Sequence, residues 1–268
     1  MPVDVWAPVL ENRRLSGDYS VLALEAPEIA RAALPGQFVM LKQTPGLDPL
    51  LRRPFSIFEI LRDSDGGPRG ISILNKRVGT ATRQIYDAEP GHRVACLGPL
   101  GRPFTVAERG EAWMVAGGVG LAPFATLAEA LASRGTAMTL FYGGRSASDL
   151  YYADMFESLG ARVVLATEDG TRGVQGRITV PLEHHLNTAG DSDVSIFACG
   201  PEPMLAAVAR LAQRYRRYCE VSVERVMGCG LGGCYSCVIP VRTPGGRPHF
   251  VRSCISGPVF DASTVAWD

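Results

Sequence analysis

A chain of 268 residues with 46% apolar side chains is long enough to bury real cores in one large or two to three small domains. Its 27 basic and 27 acidic residues cancel, so no global field draws it to nucleic acid or to an anionic membrane. No apolar run reaches the length of a membrane span, and the N-terminus lacks the basic-then-apolar pattern of a signal peptide. A core of this size needs no disulfide staples, so the seven cysteines point to the reducing cytoplasm rather than to a secreted framework.

The first hundred residues read as short alternating strands separated by turn residues. Ser20-Val-Leu-Ala-Leu-Glu25, Gln37-Phe-Val-Met-Leu-Lys42, Phe55-Ser-Ile-Phe-Glu-Ile60 and Gly70-Ile-Ser-Ile-Leu-Asn75 have this form. His92-Arg-Val-Ala-Cys-Leu97 follows them, closed by Gly98-Pro-Leu-Gly101. Regular short strands with Gly and Pro between them predict an antiparallel barrel over 1–105. Within it, Arg52-Arg-Pro-Phe-Ser56 suits a flavin clamp. Arg53 would pair with a diphosphate in bidentate fashion, while Phe55 and Ser56 would line the isoalloxazine. Arg53 as a surface charge beside a strand-breaking Pro54 explains the same residues. Gly79-Thr80-Ala-Thr82 opens a predicted helix whose first N–H groups suit phosphate oxygens.

After Phe104 the pattern changes. Ala112-Trp-Met-Val-Ala116 is a continuous apolar strand that runs into Gly117-Gly-Val-Gly-Leu-Ala-Pro123 and a helical stretch to Arg134. Met138-Thr-Leu-Phe-Tyr142, Arg162-Val-Val-Leu-Ala166 and Val194-Ser-Ile-Phe-Ala198 are further strands, with a helix from Glu202 to Tyr218. Apolar strands alternating with helices predict a parallel sheet covered on both faces, over 106–219. Ligands bind such sheets at the carboxyl edge. Four loops meet there: the Gly117–Gly120 turn with Gly118 and Gly120, Tyr142-Gly-Gly-Arg145, Glu168-Asp-Gly170, and Cys199-Gly200-Pro-Glu-Pro-Met204. Glycines there would let a diphosphate approach the backbone, though a tight structural turn needs them equally. Glu168 either faces a nicotinamide or sits in a solvated turn. Cys199 either lies beside that ring or is a buried apolar thiol.

From about Glu220 to the end, 220–268, the chain is rich in glycine and cysteine. Cys229, Cys234 and Cys237 form C-x4-C-x2-C, answered by Cys254. That is the ligand spacing of a plant-type two-iron cluster. A four-cysteine zinc site is the competing reading, but zinc sites normally pair their ligands as two short C-x2-C knuckles. Gly228, Gly230, Gly232 and Gly233 let a tight loop present three thiolates. The chemistry implied is electron transfer.

Taken together, R-R-P-F-S, G-P-L-G, A-G-G-V-G-L-A-P, T-E-D-G, C-G-P-E-P-M, the cysteine loop and Gly257-Pro-Val-Phe-Asp-Ala262 cover nearly the whole chain. In this combination the sequence resembles the electron-transfer subunit of NAD-dependent dihydroorotate dehydrogenase, within the ferredoxin–NADP reductase superfamily. The resemblance implies FAD held by Arg53, Pro54, Phe55, Ser56, Leu74, Asn75, Lys76, Gly79 and Thr80. It also implies a [2Fe-2S] cluster on Cys229, Cys234, Cys237 and Cys254, and NAD+ as co-substrate, with Cys199 and Ser56 nearest the chemistry. The implied partner is an FMN-containing catalytic subunit, two copies of each forming a heterotetramer in pyrimidine biosynthesis. The link from Lys76 to Gly79 is shorter than the family pattern, and the gap before Cys254 is longer, consistent with a hairpin extended around Thr243-Pro-Gly-Gly-Arg247. The alternative is the small flavin and iron–sulfur subunit of a ferredoxin-coupled transhydrogenase, a sulfur reductase or a hydrogenase. A non-catalytic redox sensor is a third reading, disfavoured because a sensor needs neither flavin clamp nor nicotinamide loops.

Overall fold

The structure is a computed structural model that describes residues 1–43, 46, 48–106, 110–242 and 248–267. The expected hairpin extension at 243–247 lies outside the described residues. The N-terminal part contains strands β1 (Val3–Arg14) and β2 (Tyr19–Glu25), helix α1 (Pro27–Ala32), and strands β3 (Phe38–Lys42), β4 (Arg53–Ser56), β5 (Ile60–Arg62) and β6 (Pro68–Lys76). Helix α2 (Thr80–Tyr86) and β7 (Arg93–Leu100) complete it. The strands run in the order β4-β3-β7-β1-β2-β6-β5, every pair antiparallel.

The single strand expected over Phe55–Ile60 is instead a corner. The Ile57 N–H donates to the Gln37 carbonyl at the β3 side, whereas the next N–H, of Phe58, donates to Ser72 on β6. One residue thus switches partner strands, and the sheet curls until β4 approaches β6. Ala7, Val9, Leu22, Leu24, Val39, Leu41, Ile71 and Ile73 fill the interior. The longest strand, β1, is apolar from Val5 to Leu10 but buries only Ala7 and Val9 of these, while Trp6 is exposed and Pro8 and Leu10 are half-buried.

The second part runs β8 (Glu111–Gly117), α3 (Ala122–Ser133), β9 (Ala137–Gly144), α4 (Ala153–Ser158), β10 (Ala161–Thr167), β11 (Val174–Gln175), α5 (Thr179–Thr188), β12 (Val194–Cys199), α6 (Glu202–Arg214) and β13 (Tyr218–Ser222). These strands form one parallel sheet. Its central strands are apolar throughout because both faces are covered. Met114 and Ala116 of β8 and Phe197 of β12 pack against α3 on one side. Trp113 and Val115, with Ile196 and Ala198, pack against α5 and α6 on the other. Helix α6 buries Leu205, Val208, Ala209 and Ala212, a spacing that puts one stripe on the sheet.

The C-terminal part contains a hairpin, β14 (Val238–Arg242) with β15 (Pro248–Arg252), then α7 (Ser253–Ser256) and β16 (Val259–Asp261). Strand β16 returns to the parallel sheet, antiparallel to β13. The expected boundary between residues 219 and 220 therefore falls inside β13, and the cluster module is stitched into the sheet at its far end. Gly101 explains two motifs at once. It has φ +80°, and a Cβ there would lie 2.4 Å from Pro258 and 2.9 Å from the Gly257 carbonyl. The G-P-L-G turn that closes the barrel is thus the seat for Gly257-Pro258, held also by a 2.6 Å bond from the Arg102 N–H to the Gly257 carbonyl. Buried Glu220 makes a second tie, accepting from the Thr105 N–H at 2.8 Å, the Thr105 hydroxyl at 2.7 Å and the Tyr218 hydroxyl at 2.8 Å. Among the described residues no helix is long and apolar enough to cross a membrane.

Candidate functional site

The cysteine loop lies between β13 and β14 and rests on the barrel. Gly230, at φ +72°, comes so close that a Cβ would stand 2.6 Å from Met40 Cγ and 3.2 Å from Leu100 Cδ1. Only glycine combines that backbone angle with that approach. Cys237 and Cys254 are buried with Phe38, Met40, Leu97, Leu100 and Met227. The thiols fall into two pairs. Cys237 neighbours Cys254, and burial together with this neighbour pushes the Cys254 thiol up to about 12. Cys234 neighbours Cys229, and hydrogen bonds from Ser236 and then from Cys229 lower it to about 6. Two pairs, one from C-x4-C and one joining the last cysteine of the loop to Cys254, suit two irons with two thiolates each. Among the described residues no group of three or more His, Cys, Asp or Glu side chains is gathered round a single point. The buried Ser253 hydroxyl, next to Cys254, has no partner among the described residues. A buried hydroxyl without an acceptor is costly, and a cluster sulfur would supply one.

The clamp sequence occupies β4, paired with β3 so that Ser56 stands opposite Phe38 and Pro54 opposite Met40. Opposite residues share a face, so Pro54 and Ser56 lie on the side that carries the cysteine loop. Gly228 lies beside Leu51, 3.7 Å from where its own Cβ would be, which brings the loop to the start of the clamp. The Arg53 guanidinium is steadied by the Leu51 and Arg52 carbonyls at 2.9 and 3.1 Å. On β6, Leu74 and Asn75 are buried and Lys76 is half-buried. Asn75 donates to Thr82 at the start of α2, leaving its own buried carbonyl oxygen unpartnered among the described residues. Gly79 and Thr80 are exposed at the head of α2, with open space on the Cβ side of Gly79. A polar cradle with an orphaned amide oxygen and an open glycine turn fits a flavin nucleotide.

A cleft of about 440 Å³ opens between the barrel and the carboxyl edge of the parallel sheet. Tyr19 and Lys76 border it from the barrel, and Gly117, Gly118, Arg145, Glu168, Pro201 and Glu224 from the sheet loops. Gly118, at φ +55° with nothing near its Cβ position, presents bare backbone to the cleft. Gly120 and Gly200 act differently. A Cβ on Gly120 would lie 2.3 Å from the Cys199 carbonyl, and one on Gly200 2.8 Å from Met204, so both serve close packing beneath the cleft floor. Cys199 is 2% exposed and is not among the cleft-lining residues. Burial drives its thiol far above the ordinary range, which keeps it neutral.

Asp149 ties the two halves of the cleft together. It accepts from the Tyr19 hydroxyl at 2.7 Å and the Arg145 N–H at 3.2 Å, and pairs with Lys76 at 3.4 Å. Burial alone raises its carboxyl, but these three partners outweigh burial and hold it below the ordinary 3.8. Glu224, across the cleft, is raised by burial, with its side chain still reached by solvent.

Comparison with known proteins gives the lineage. Residues 114–210 match the oxidoreductase NAD-binding domain, and residues 224–266 the iron–sulfur cluster binding domain of dihydroorotate dehydrogenase B. The dihydroorotate dehydrogenase B (NAD(+)) electron transfer subunit of Desulforamulus reducens is 35% identical over 98% of both chains. That of Geobacillus thermodenitrificans is 36% identical over 96% of both. The chain belongs to this electron transfer subunit family. It is an oxidoreductase component with an NAD-binding domain and an iron–sulfur domain, and FAD, [2Fe-2S] and NAD fit its three parts.

An NADH-dependent reduced ferredoxin-NADP oxidoreductase has the same fold, with a TM-score of 0.83 over 98% of this chain and 90% of that one at 24% identity. Full-length sequence relatives nonetheless favour the dihydroorotate dehydrogenase B family over a transhydrogenase, sulfur reductase or hydrogenase subunit. Tyr19, Asp149, Glu220 and Glu224 had no signal in the family motifs. Tyr19 and Asp149 meet across 130 residues, Glu220 reaches Thr105 across 115, and Glu224 borders the cleft, none of which spacing along the chain encodes.

Proposed function

We propose that this chain is the NAD-linked half of a two-subunit dihydroorotate dehydrogenase. An FMN-containing catalytic subunit would oxidise dihydroorotate, and this chain would carry the electrons to NAD+ for pyrimidine synthesis. The observation that supports this most directly is the continuity of three places. The cysteine loop touches Met40 and Leu100, Met40 stands opposite Pro54 of the clamp, and Lys76 of the flavin cradle also borders the cleft. Partner, cysteine loop, flavin cradle and nicotinamide cleft would then stand in the order of electron flow.

FAD and the [2Fe-2S] cluster, when bound, supply the exchange between single electrons and a hydride. Arg53 would neutralise the diphosphate, Gly79 and Thr80 its remaining oxygens, and Phe55, Ser56, Leu74, Asn75 and Lys76 would fix the flavin ring. Gly118 would admit the NAD diphosphate, with Glu168 at the rim. Gly120, Gly200 and Cys199 would shape the floor, so Cys199 assists by packing rather than by proton transfer. Cys229 and Cys234 would hold one iron, Cys237 and Cys254 the other. The chain would divide at about residue 105 and again after β13, work in the cytoplasm, and pair with its partner as a heterotetramer.

Anaerobic NADH titration of the purified chain, followed by absorbance and low-temperature electron paramagnetic resonance, tests the reading. It requires bleaching of a flavin band together with a rhombic two-iron signal. A chain isolated with zinc, or without flavin, overturns it.

A further inference from the structure

The two thiol pairs sit in unlike surroundings. Cys237 and Cys254 are each 1% exposed, among apolar side chains of the barrel. Cys229 and Cys234 stand outward and are met by polar hydrogens. The Leu231 N–H donates to Cys229 Sγ at 3.3 Å. Ser236 Oγ lies 3.2 Å from Cys234 Sγ and also accepts from the Gly228 N–H at 2.9 Å. A hydroxyl has one hydrogen and two acceptor sites. Gly228 occupies an acceptor site, and a ligand thiolate has no proton to offer, so the Ser236 hydrogen is the one shared with Cys234.

On the ligation proposed above, we infer that Ser236 sets the reduction potential of the cluster by donating a hydrogen bond to the Cys234 ligand. Reduction adds negative charge to the cluster. A donor fixed on a ligand sulfur stabilises that charge, so the potential rises. The bond is preorganised, because Gly228 holds the hydroxyl oxygen while Cys234 follows in the same loop. It acts on the outward pair, where charge is also stabilised by solvent, and leaves the buried pair against the barrel untouched. Ser236 is therefore a positioning residue of the relay: its hydroxyl biases the loop toward accepting an electron from outside.

The test uses the full holo-chain with Ser236→Ala and Ser236→Thr. A mediated potentiometric titration is read by the two-iron paramagnetic signal, and exchangeable-proton hyperfine couplings are measured after transfer to deuterated water. Ser236→Ala should lower the reduced-to-oxidised ratio at fixed potential about tenfold, ~59 mV for one electron, and remove one exchangeable coupling. Ser236→Thr should keep both. Should Ser236→Ala fail to assemble a cluster, Ser236→Gly removes the same hydroxyl and serves in its place. An unchanged potential with the coupling intact overturns the inference while the two-iron signal stands. Failure of the ligation itself looks different: wild type without that signal, or Cys234→Ala retaining it unaltered.

Discussion

Gly230→Ala probes the joint between the cysteine loop and the barrel. The backbone at Gly230 is left-handed, φ +72°, which costs an alanine about 1–2 kcal/mol. The new methyl would also meet Met40 Cγ at 2.6 Å, in the middle of a side chain with no measurable exposure. Overpacking of that kind costs about 1–3 kcal/mol. The two together make about 2–5 kcal/mol, or a fall in Tm of roughly 4–9 °C at about 2.1 cal/mol/K of unfolding entropy per residue. If the loop lifts away instead, Tm falls less, but cluster reduction by NADH slows while flavin reduction keeps its rate. Calorimetry and stopped-flow absorbance measure the two outcomes on one preparation. Adding Met40→Ala should restore the steric share and leave the backbone share, since the two residues are in contact and couple. A Gly230→Ala protein with wild-type Tm and wild-type cluster reduction would refute the seating of the loop on Met40.

Gly118→Val places a β-branched residue at φ +55° over the open cleft, and should raise KM for NADH about tenfold, ~1.4 kcal/mol, with flavin content unchanged. Glu220→Gln can keep an acceptor for the Thr105 N–H, but it loses the carboxylate charge and forces the Thr105 and Tyr218 hydroxyls to turn from donors to acceptors. It should cost about 1–3 kcal/mol, seen as a lower midpoint in denaturant titration. Asp149 has a lowered carboxyl, so its contribution to stability is complete above the ordinary 3.8 and is lost as pH falls through the folded-state value. Melting curves of wild type and Asp149→Asn should therefore differ at neutral pH and converge in acid. Parallel curves down to the acid limit would contradict the tie to Tyr19 and Lys76.

Much of this architecture is legible in the chain because its signals are local. The C-x4-C-x2-C spacing, the apolar run at Ala112–Ala116 that enters the glycine turn, and the amphipathic stripe of α6 each lie within one element or one loop. Those features determine that a parallel sheet follows a barrel and that a cysteine module ends the chain. Tertiary structure alone decided the rest. Strand β1 carries apolar side chains on both faces from Val5 to Leu10, so only pairing decides that Ala7 and Val9 turn inward, and β16 is three residues whose place is set by pairing with β13. The corner at Ile57–Phe58 depends on which strands offer carbonyls to successive N–H groups. Likewise Cys199 occupies a strand end that pattern places at a ligand edge, yet Gly120 closes over it. The seat of the loop on Met40 and the Asp149 bridge need side chains brought together from distant segments, and close packing, not spacing, determines which of them meet.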